Sequence, residues 1–311
     1  MSAINDKLPE LTDDNLRILV CCHKACSIPN DPHLVPVLGG SVNHESIPVG
    51  FYRDDQVNGL PCDNISNKNA TYCELTSMYW AWKNLKTAFP AVEYIGLNHY
   101  RRYFDFSGKH KLELGHALPI EKIQDYSVDI ESIKHLMSDA DIIVANKLHY
   151  PYAIFQEYSI AHVSDDARRL VAIVHELHPE ADDSMRRVFM RGNSLSLCNM
   201  FIMPFDLFSE YAEWLFGILA VAEQRIDLTG YSTRQARIFG FMAERLMNVW
   251  IDWKGLRSKT APIVAYGDVN FLPPMIHVLN NARKDIAYHL SRQSESSANK
   301  MFDSFTNYWS V

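Results

Sequence analysis

Four short, almost unbroken apolar runs constrain this chain more than any other feature. They are "LRILVCCH" (16–23), "VEYIGL" (92–97), "DIIVANK" (141–147) and "SLCNMFIMP" (196–204). None carries a helical period, so each reads as a strand buried on both faces. Between them lie stretches whose apolar residues recur every three or four positions. "NATYCELTSMYWAWKNLKTAF" (69–89) places Leu75, Met78, Tyr79, Trp82 and Leu85 on one helical face, and Pro90 ends it. "IESIKHLMSDA", "SDDARRLVAIVHELHP", "FDLFSEYAEWLFGILAVAEQRI" and "STRQARIFGFMAERLMNVWIDW" are further helices, and "APIVAYG" (261–267) a last strand. Strands alternating with helices predict an α/β fold, a mixed central sheet flanked by helices, with a helical C-terminal part. The stretch holding Pro29, Pro32, Pro36, Gly39, Gly40, Pro48 and Gly59 reads as loop. The expected organisation is a flexible lead over 1–15, one body over 16–273 and a tail over 274–311.

Such sheets bind ligands beyond the carboxyl ends of their strands. "CHK" (22–24) and "NHYRRY" (98–103) both fall at such ends. An arginine fork matches phosphate oxygens in pairs. Arg101 and Arg102, with His99 and Lys24 nearby, could neutralise a diphosphate, or could simply pair with some of the chain's carboxylates. With 30 basic against 37 acidic residues the net charge is −7, which argues against a general nucleic-acid binder but leaves room for a local basic pocket.

Other polar clusters stand out. Asn64, Ser66, Lys68 and Asn69 are a run of donors just before a helix, suited to an anion or a ribose, or to plain capping. Glu74, one turn on, reads as helix-dipole compensation. Asn199 interrupts an apolar strand and needs partners. Gln235, Arg237 and Glu244 share helical spacing, as a ligand-facing or a salt-bridged face. The six cysteines, at 21, 22, 26, 62, 73 and 198, form no CxxC pair and no zinc spacing, and read as free thiols of a reducing cytoplasm. The N-terminal "MSAINDKLPELTDDN" does not read as a secretory signal. There is no HExxH motif and no DxD triplet at a strand end, so no metal ligand set is expected. "WLFGILAVA" (214–222) is far short of the ~20 residues of a membrane span.

Taken together, "CHK", "NISNKNATYCELTSMYWAWKN", "YIGLNHYRRYF", "NMFIMPFDLFSEYAEWLF" and "YSTRQARIFGFMAERL" resemble, over about residues 17 to 252, a family found in capsule, O-antigen and exopolysaccharide clusters. It was long catalogued as a domain of unknown function, with HYRRYF as its hallmark. Understood members are similar to GT-A glycosyltransferases, including galactofuranosyltransferases that use a UDP-sugar.

The resemblance implies a GT-A-like fold and transfer of a hexosyl unit, galactofuranose among the candidates, from UDP to a growing glycan, with inversion. GT-A enzymes hold a metal on the diphosphate through a DxD triplet. This chain has His99-Tyr100-Arg101-Arg102 there, so the cationic side chains would replace the metal, and no cofactor beyond the donor substrate is expected. Arg101, Arg102 and His99 would stabilise the departing diphosphate. His23, Lys24, Asn64, Ser66, Lys68, Asn69 and Tyr100 would hold the nucleotide, and Asn199 and Glu244 would contact donor or acceptor. Asp105, Glu157, His162 and Glu244 are all candidates for the base. The expected partners are a UDP-sugar and a glycan or lipid-linked glycan acceptor, with no nucleic acid. The expected location is the cytoplasm, with peripheral contact at the inner face of the membrane through the tail, where Arg283, Lys284, His289 and Arg292 accompany Phe302, Phe305, Tyr308 and Trp309. A sugar-phosphate transferase and a non-catalytic nucleotide- or glycan-binding protein remain alternatives.

Overall fold

The computed structural model describes residues 9–106, 117–267, 274–292 and 294–309. The chain divides into two compact units. The first is built from residues 1–146, 198–212 and 257–274, the second from 147–197, 213–256 and 275–311.

The first unit holds a nine-stranded mixed sheet. In chain order its strands are β1 (Leu16–Cys22), β2 (Leu34–Leu38), β3 (Tyr52–Arg53), β4 (Tyr94–His99), β5 (Arg102–Phe104), β6 (Ile142–Ala145), β7 (Phe201–Pro204), β8 (Ser258–Ala261) and β9 (Ile263–Ala265). The order across the sheet is β8-β6-β7-β4-β1-β2-β3, and β5 pairs with both β4 and β9. β1 runs parallel to β2 and β4, while β7 enters antiparallel between β4 and β6. Ile18, Leu19 and Val20 are fully buried, as a strand covered on both faces requires. At the centre β4 carries Gly96, where an added Cβ would lie 3.0 Å from Ile202 and 3.1 Å from Ile18. Only glycine lets these three strands pack so closely. Helices α1 (Leu75–Ala88) and α2 (Ile130–Met137) belong to this unit.

Four expectations change. β2 lies in a stretch read as loop because of its prolines. Ile18 N donates to His33 O and Gly39 N to Cys22 O, both at 2.8 Å. That parity turns the nitrogen of Pro36 away from β1, toward a side where β3 pairs only Val37 and Leu38. Proline is tolerated there because no donor is missed. The helix read over 69–89 is broken: a single turn, Asn69–Tyr72, stops at Cys73, whose φ is 53° and ψ −128°. The strand read over 196–204 begins only at Phe201, because Cys198 and Asn199 take positive φ of 69° and 50°. "APIVAYG" lies across two strands, β8 and β9.

The second unit is mainly helical. It contains α3 (Ile154–Ala161), α4 (Ser164–Leu177), the greater part of α5 (Phe205–Arg225), α6 (Ile238–Trp253), α7 (Pro274–Ser291) and α8 (Glu295–Trp309). The weakly periodic C-terminal stretch is therefore two helices. Phe302 and Phe305 of α8 are buried, Phe305 lying 5.1 Å from Phe155 and Arg186 stacking 4.1 Å over Phe302. These two rings are core, which removes them from any membrane-facing patch. The side chains of Tyr308 and Trp309 lie outside the described residues.

Candidate functional site

The site grows from the carboxyl end of β4. β1 and β4 are parallel and pair Cys21 with His99, so both strands end at one edge. β4 then folds back through Tyr100 and Arg101 into β5, with His99 opposite Arg102. Tyr100 N donates to Cys21 O at 3.2 Å, and Tyr266 N to Arg101 O at 3.0 Å, which fix this two-residue turn. The Tyr100 ring meets His23 edge-on at 5.0 Å, and the Arg101 guanidinium stands 5.1 Å from the Tyr100 ring centre. Arg101 and Arg102 are half-buried, and His23 and Lys24 exposed. Among the described residues neither arginine has a carboxylate within ion-pairing distance.

Cys26 reports on the same electrostatics. Its Sγ lies 3.7 Å from the Cys22 Sγ. The Cys22 thiol, Lys24 and Arg101 together hold the Cys26 thiol below its ordinary value, against the opposing effect of burial.

On the other side of His99, residues 198 and 199 act as a clasp. The His99 Nε2 lies 2.6 Å from the carbonyl oxygen of Cys198. A carbonyl can only accept, so Nε2 carries the proton. The next residue, Asn199, is buried and donates from Nδ2 to Glu74 Oε1 at 2.7 Å. Register explains the meeting: Phe201 pairs with Leu97, so β7 begins where β4 ends. Glu74 was read from the sequence only as dipole compensation, and the sole signal for its role was the lone Asn199 in an apolar run.

The donors ahead of α1 are largely committed to the fold. Ser66 is fully buried; its hydroxyl donates to Asp54 at 2.5 Å and accepts from Val42 N at 3.1 Å. Asp54 also accepts from Gly40 N, Ser41 N and Ser41 Oγ, a satisfied buried carboxylate. Ser66 therefore builds this loop and has no donor left for a nucleotide. Asn64 closes a local turn onto Ser66 N at 3.0 Å, and donates to Cys62 O. Asn69 donates to Cys73 O and to Thr76 Oγ1, with Gly39 close against it: a Cβ there would fall 2.6 Å from the Asn69 amide. The Lys68 ammonium stands 5.7 Å over the Tyr72 ring.

Three of the four base candidates lie in the second unit. Glu157 and Glu244 both bind the buried Arg245, at 2.6 Å and 2.9 Å. Glu244 is thereby part of an internal ion cluster. His162 stacks on Phe241 at 4.0 Å, and burial with the Arg245 charge pushes it down to about 4. Asp105 follows β5 in the first unit and is buried. Among the described residues no three His, Cys, Asp or Glu side chains gather as a metal-binding group.

A solved structure described as the apo form of the WbbM bifunctional glycosyltransferase is similar to this chain, with a TM-score of 0.71 and 28% identity. The likeness covers 83% of this chain and 46% of that one, so the chain spans less than half of WbbM. No curated protein matches. The fold is GT-A-like: a central mixed sheet flanked by helices. Residues 17–255 match the family described as Domain of unknown function (DUF4422), and the chain belongs to that family.

Proposed function

We propose that this chain is a glycosyltransferase that moves a hexosyl unit from a UDP-sugar to a growing surface glycan, with inversion and without a metal ion. Galactofuranose is the sugar we would test first, and capsule, O-antigen or exopolysaccharide chains the acceptor class. One observation carries the reading: an arginine pair that has no carboxylate partner among the described residues, on a hairpin at the end of β4 in a GT-A-like sheet. Charge develops on the diphosphate as the glycosidic bond breaks. Fixed cations beside it lower that barrier. We assign this role to Arg101, Arg102 and Lys24, with His99 orienting the turn through its Nε2 bond to the Cys198 carbonyl and Tyr100 holding the Arg101 guanidinium by its ring face. His23 and Lys24 extend the same edge toward the nucleotide. The likeness to a bifunctional glycosyltransferase supports the class of reaction.

The test is UDP release from a panel of UDP-sugars with and without glycan acceptors, repeated in EDTA. UDP release that survives chelation is the expected result. UMP release would mean sugar-phosphate transfer. UDP binding with no turnover on any donor would mean a binding protein. Activity abolished by EDTA and restored by manganese would remove the metal-free part of the reading.

We also place the enzyme at a membrane surface, with α7 as the contact. Asn281, Asp285 and Tyr288 face inward: Asp285 meets the His149 Nδ1 at 2.7 Å and accepts from the Asn193 amide at 2.6 Å, and the Tyr288 hydroxyl donates to Arg191 O. Leu279, Ile286 and Leu290 face outward, 65%, 62% and 85% exposed. Arg283, His289 and Arg292 are exposed beside them. An apolar stripe with a cationic border suits an anionic leaflet. Among the described residues, no helix is long and apolar enough to cross a membrane.

A further inference from the structure

We infer that Glu74 is the proton acceptor of this site, that Asn199 is its positioning residue, and that the group it serves is a sugar hydroxyl. The inference rests on the glycosyltransferase reading above and deepens it. Four non-glycine residues among those described have positive φ: Asn58, Cys73, Cys198 and Asn199. Three of them meet at one place. Cys73 immediately precedes Glu74, Cys198 accepts from His99, and Asn199 donates to Glu74. Left-handed backbone is costly for residues with a Cβ, and it persists where surrounding structure holds a functional geometry. Here it aims one carboxylate.

That carboxylate is also unlike others in the chain. Asp54 is saturated by four donors, Asp141 binds Arg257, and Glu157 and Glu244 share Arg245. Glu74 has no cation at ion-pairing distance among the described residues, and only one oxygen, Oε1, is held. Asn199 orients the group while leaving Oε2 to accept a further hydrogen. Glu74 is half-buried, and the 198–199 clasp brings it to the strand ends that carry His99 and the arginines. A base and a charge sink are therefore adjacent, as displacement at an anomeric carbon requires. The acceptor oxygen forms its bond to that carbon. The bond from carbon to the phosphate oxygen breaks, and its electron pair leaves on UDP beside the arginines. The hydroxyl proton goes to Glu74 Oε2.

The test is Glu74→Gln, which keeps an acceptor for the Asn199 amide but cannot take a proton. Transfer rate, donor KM, UDP affinity by calorimetry and melting temperature are measured together. We expect kcat to fall by about a hundredfold or more, the scale of a lost general base, with UDP affinity and melting temperature nearly unchanged. Glu74→Asp should retain part of the activity and the acid limb of the pH profile. Asn199→Ala should lower kcat less and keep that limb. A folded, fully active E74Q overturns this role alone, as does an E74Q that loses UDP binding together with turnover. A wild-type protein that neither binds nor releases UDP overturns the glycosyltransferase reading, and this role with it. Should E74Q not fold, a Glu74→Asp variant with full activity and no change in its acid limb overturns the role.

Discussion

Asn199 donates its side-chain amide to Glu74 across 125 positions of sequence, at 2.7 Å. Its neighbour Cys198 accepts from His99 at 2.6 Å. Two consecutive residues in left-handed conformation thus tie the start of β7 to the end of β4 and to the head of α1. Backbone geometry thus helps hold the polar edge of the sheet.

The arginines give the most direct prediction. Arg101→Lys and Arg102→Lys keep the charge and lose the fork. One lost donor to developing charge costs on the order of 3 kcal/mol, or about a hundredfold in kcat. Alanine should cost at least as much at one of the two positions. Melting temperature should barely move, because neither side chain has an ion-pair partner among the described residues. Two alanine variants that fold and turn over a UDP-sugar normally would remove the charge-sink argument.

Much of this arrangement is legible in the sequence, and the gaps have physical causes. β1, β4 and β6 stand out because continuous apolar runs have no other stable home in a chain of this kind. β2 stays hidden because Pro36 is a breaker signal, and only pairing parity shows that its missing N–H is harmless. The break at Cys73 carries no glycine or proline to mark it. The arginine hairpin is visible as a cluster of unusual residues at a strand end. Glu74 is not, because its partner lies far away in sequence and comes within reach only when β7 enters antiparallel beside β4. Ser66 reads as a ligand donor because its burial beside Asp54 depends on that same long-range folding.

Cys26 offers a chemical probe of the site. The Cys22 thiol, Lys24 and Arg101 hold its thiol low, whereas burial and nearby aspartates push the Cys62 thiol up to about 11. The thiolate is the reactive form. Iodoacetamide at neutral pH should therefore label Cys26 before Cys62, and UDP should slow that labelling. Arg101→Ala should slow it too, by raising the thiol. Peptide mapping by mass spectrometry reads the order. Equal labelling of Cys26 and Cys62, unaffected by the Arg101 change, would contradict the electrostatics described for this edge.

The second unit holds a pair of opposed titrations. Burial depresses His162 from 6.5 to about 4, helped by the Arg245 charge, so its contribution to stability is present at neutral pH and lost as pH falls through that range. Burial raises Asp166 from 3.8 to about 6, so its contribution is present at low pH and lost as pH rises through that value. Each is worth on the order of 3 kcal/mol, and the two oppose each other between pH 4 and 6. Relative to wild type, His162→Phe should make stability fall more steeply with pH across that window. Asp166→Asn, which keeps an acceptor for the Tyr231 hydroxyl, should make it rise. Urea unfolding at pH 4.5, 5.5 and 6.5 measures the slopes, and three equal slopes would refute both assignments.

Arg245 is the electrostatic keystone of that unit. It is 3% exposed and bonded to Glu157 and Glu244. Removing one partner of a buried ion cluster leaves uncompensated charge, which costs on the order of 3–5 kcal/mol. Arg245→Met should therefore lower stability strongly, and adding Glu157→Gln should recover part of the loss. Chemical denaturation of the single and double variants tests this. A double variant no more stable than the single would show that packing, and not buried charge, sets the cost.

The final prediction concerns α7. The helix has one acidic residue, Asp285, and it is turned inward onto His149 and Asn193. The outward side therefore presents Leu279, Ile286 and Leu290 with Arg283 and His289 and no carboxylate of its own. On a chain of net charge −7 this is a local cationic, apolar face. An amphipathic face of this kind binds by apolar burial plus attraction to anionic headgroups, so binding should need acidic lipid and weaken with salt. The protein should float with phosphatidylglycerol-containing vesicles and stay behind with purely phosphatidylcholine ones. Changing Leu279, Ile286 and Leu290 to Glu should abolish flotation while leaving UDP binding intact. Size-exclusion chromatography with light scattering tests the competing occupant, a second copy of the chain. Wild-type protein that ignores anionic vesicles, or that dimerises through α7 and becomes monomeric in the triple variant, would assign this face to something other than a membrane.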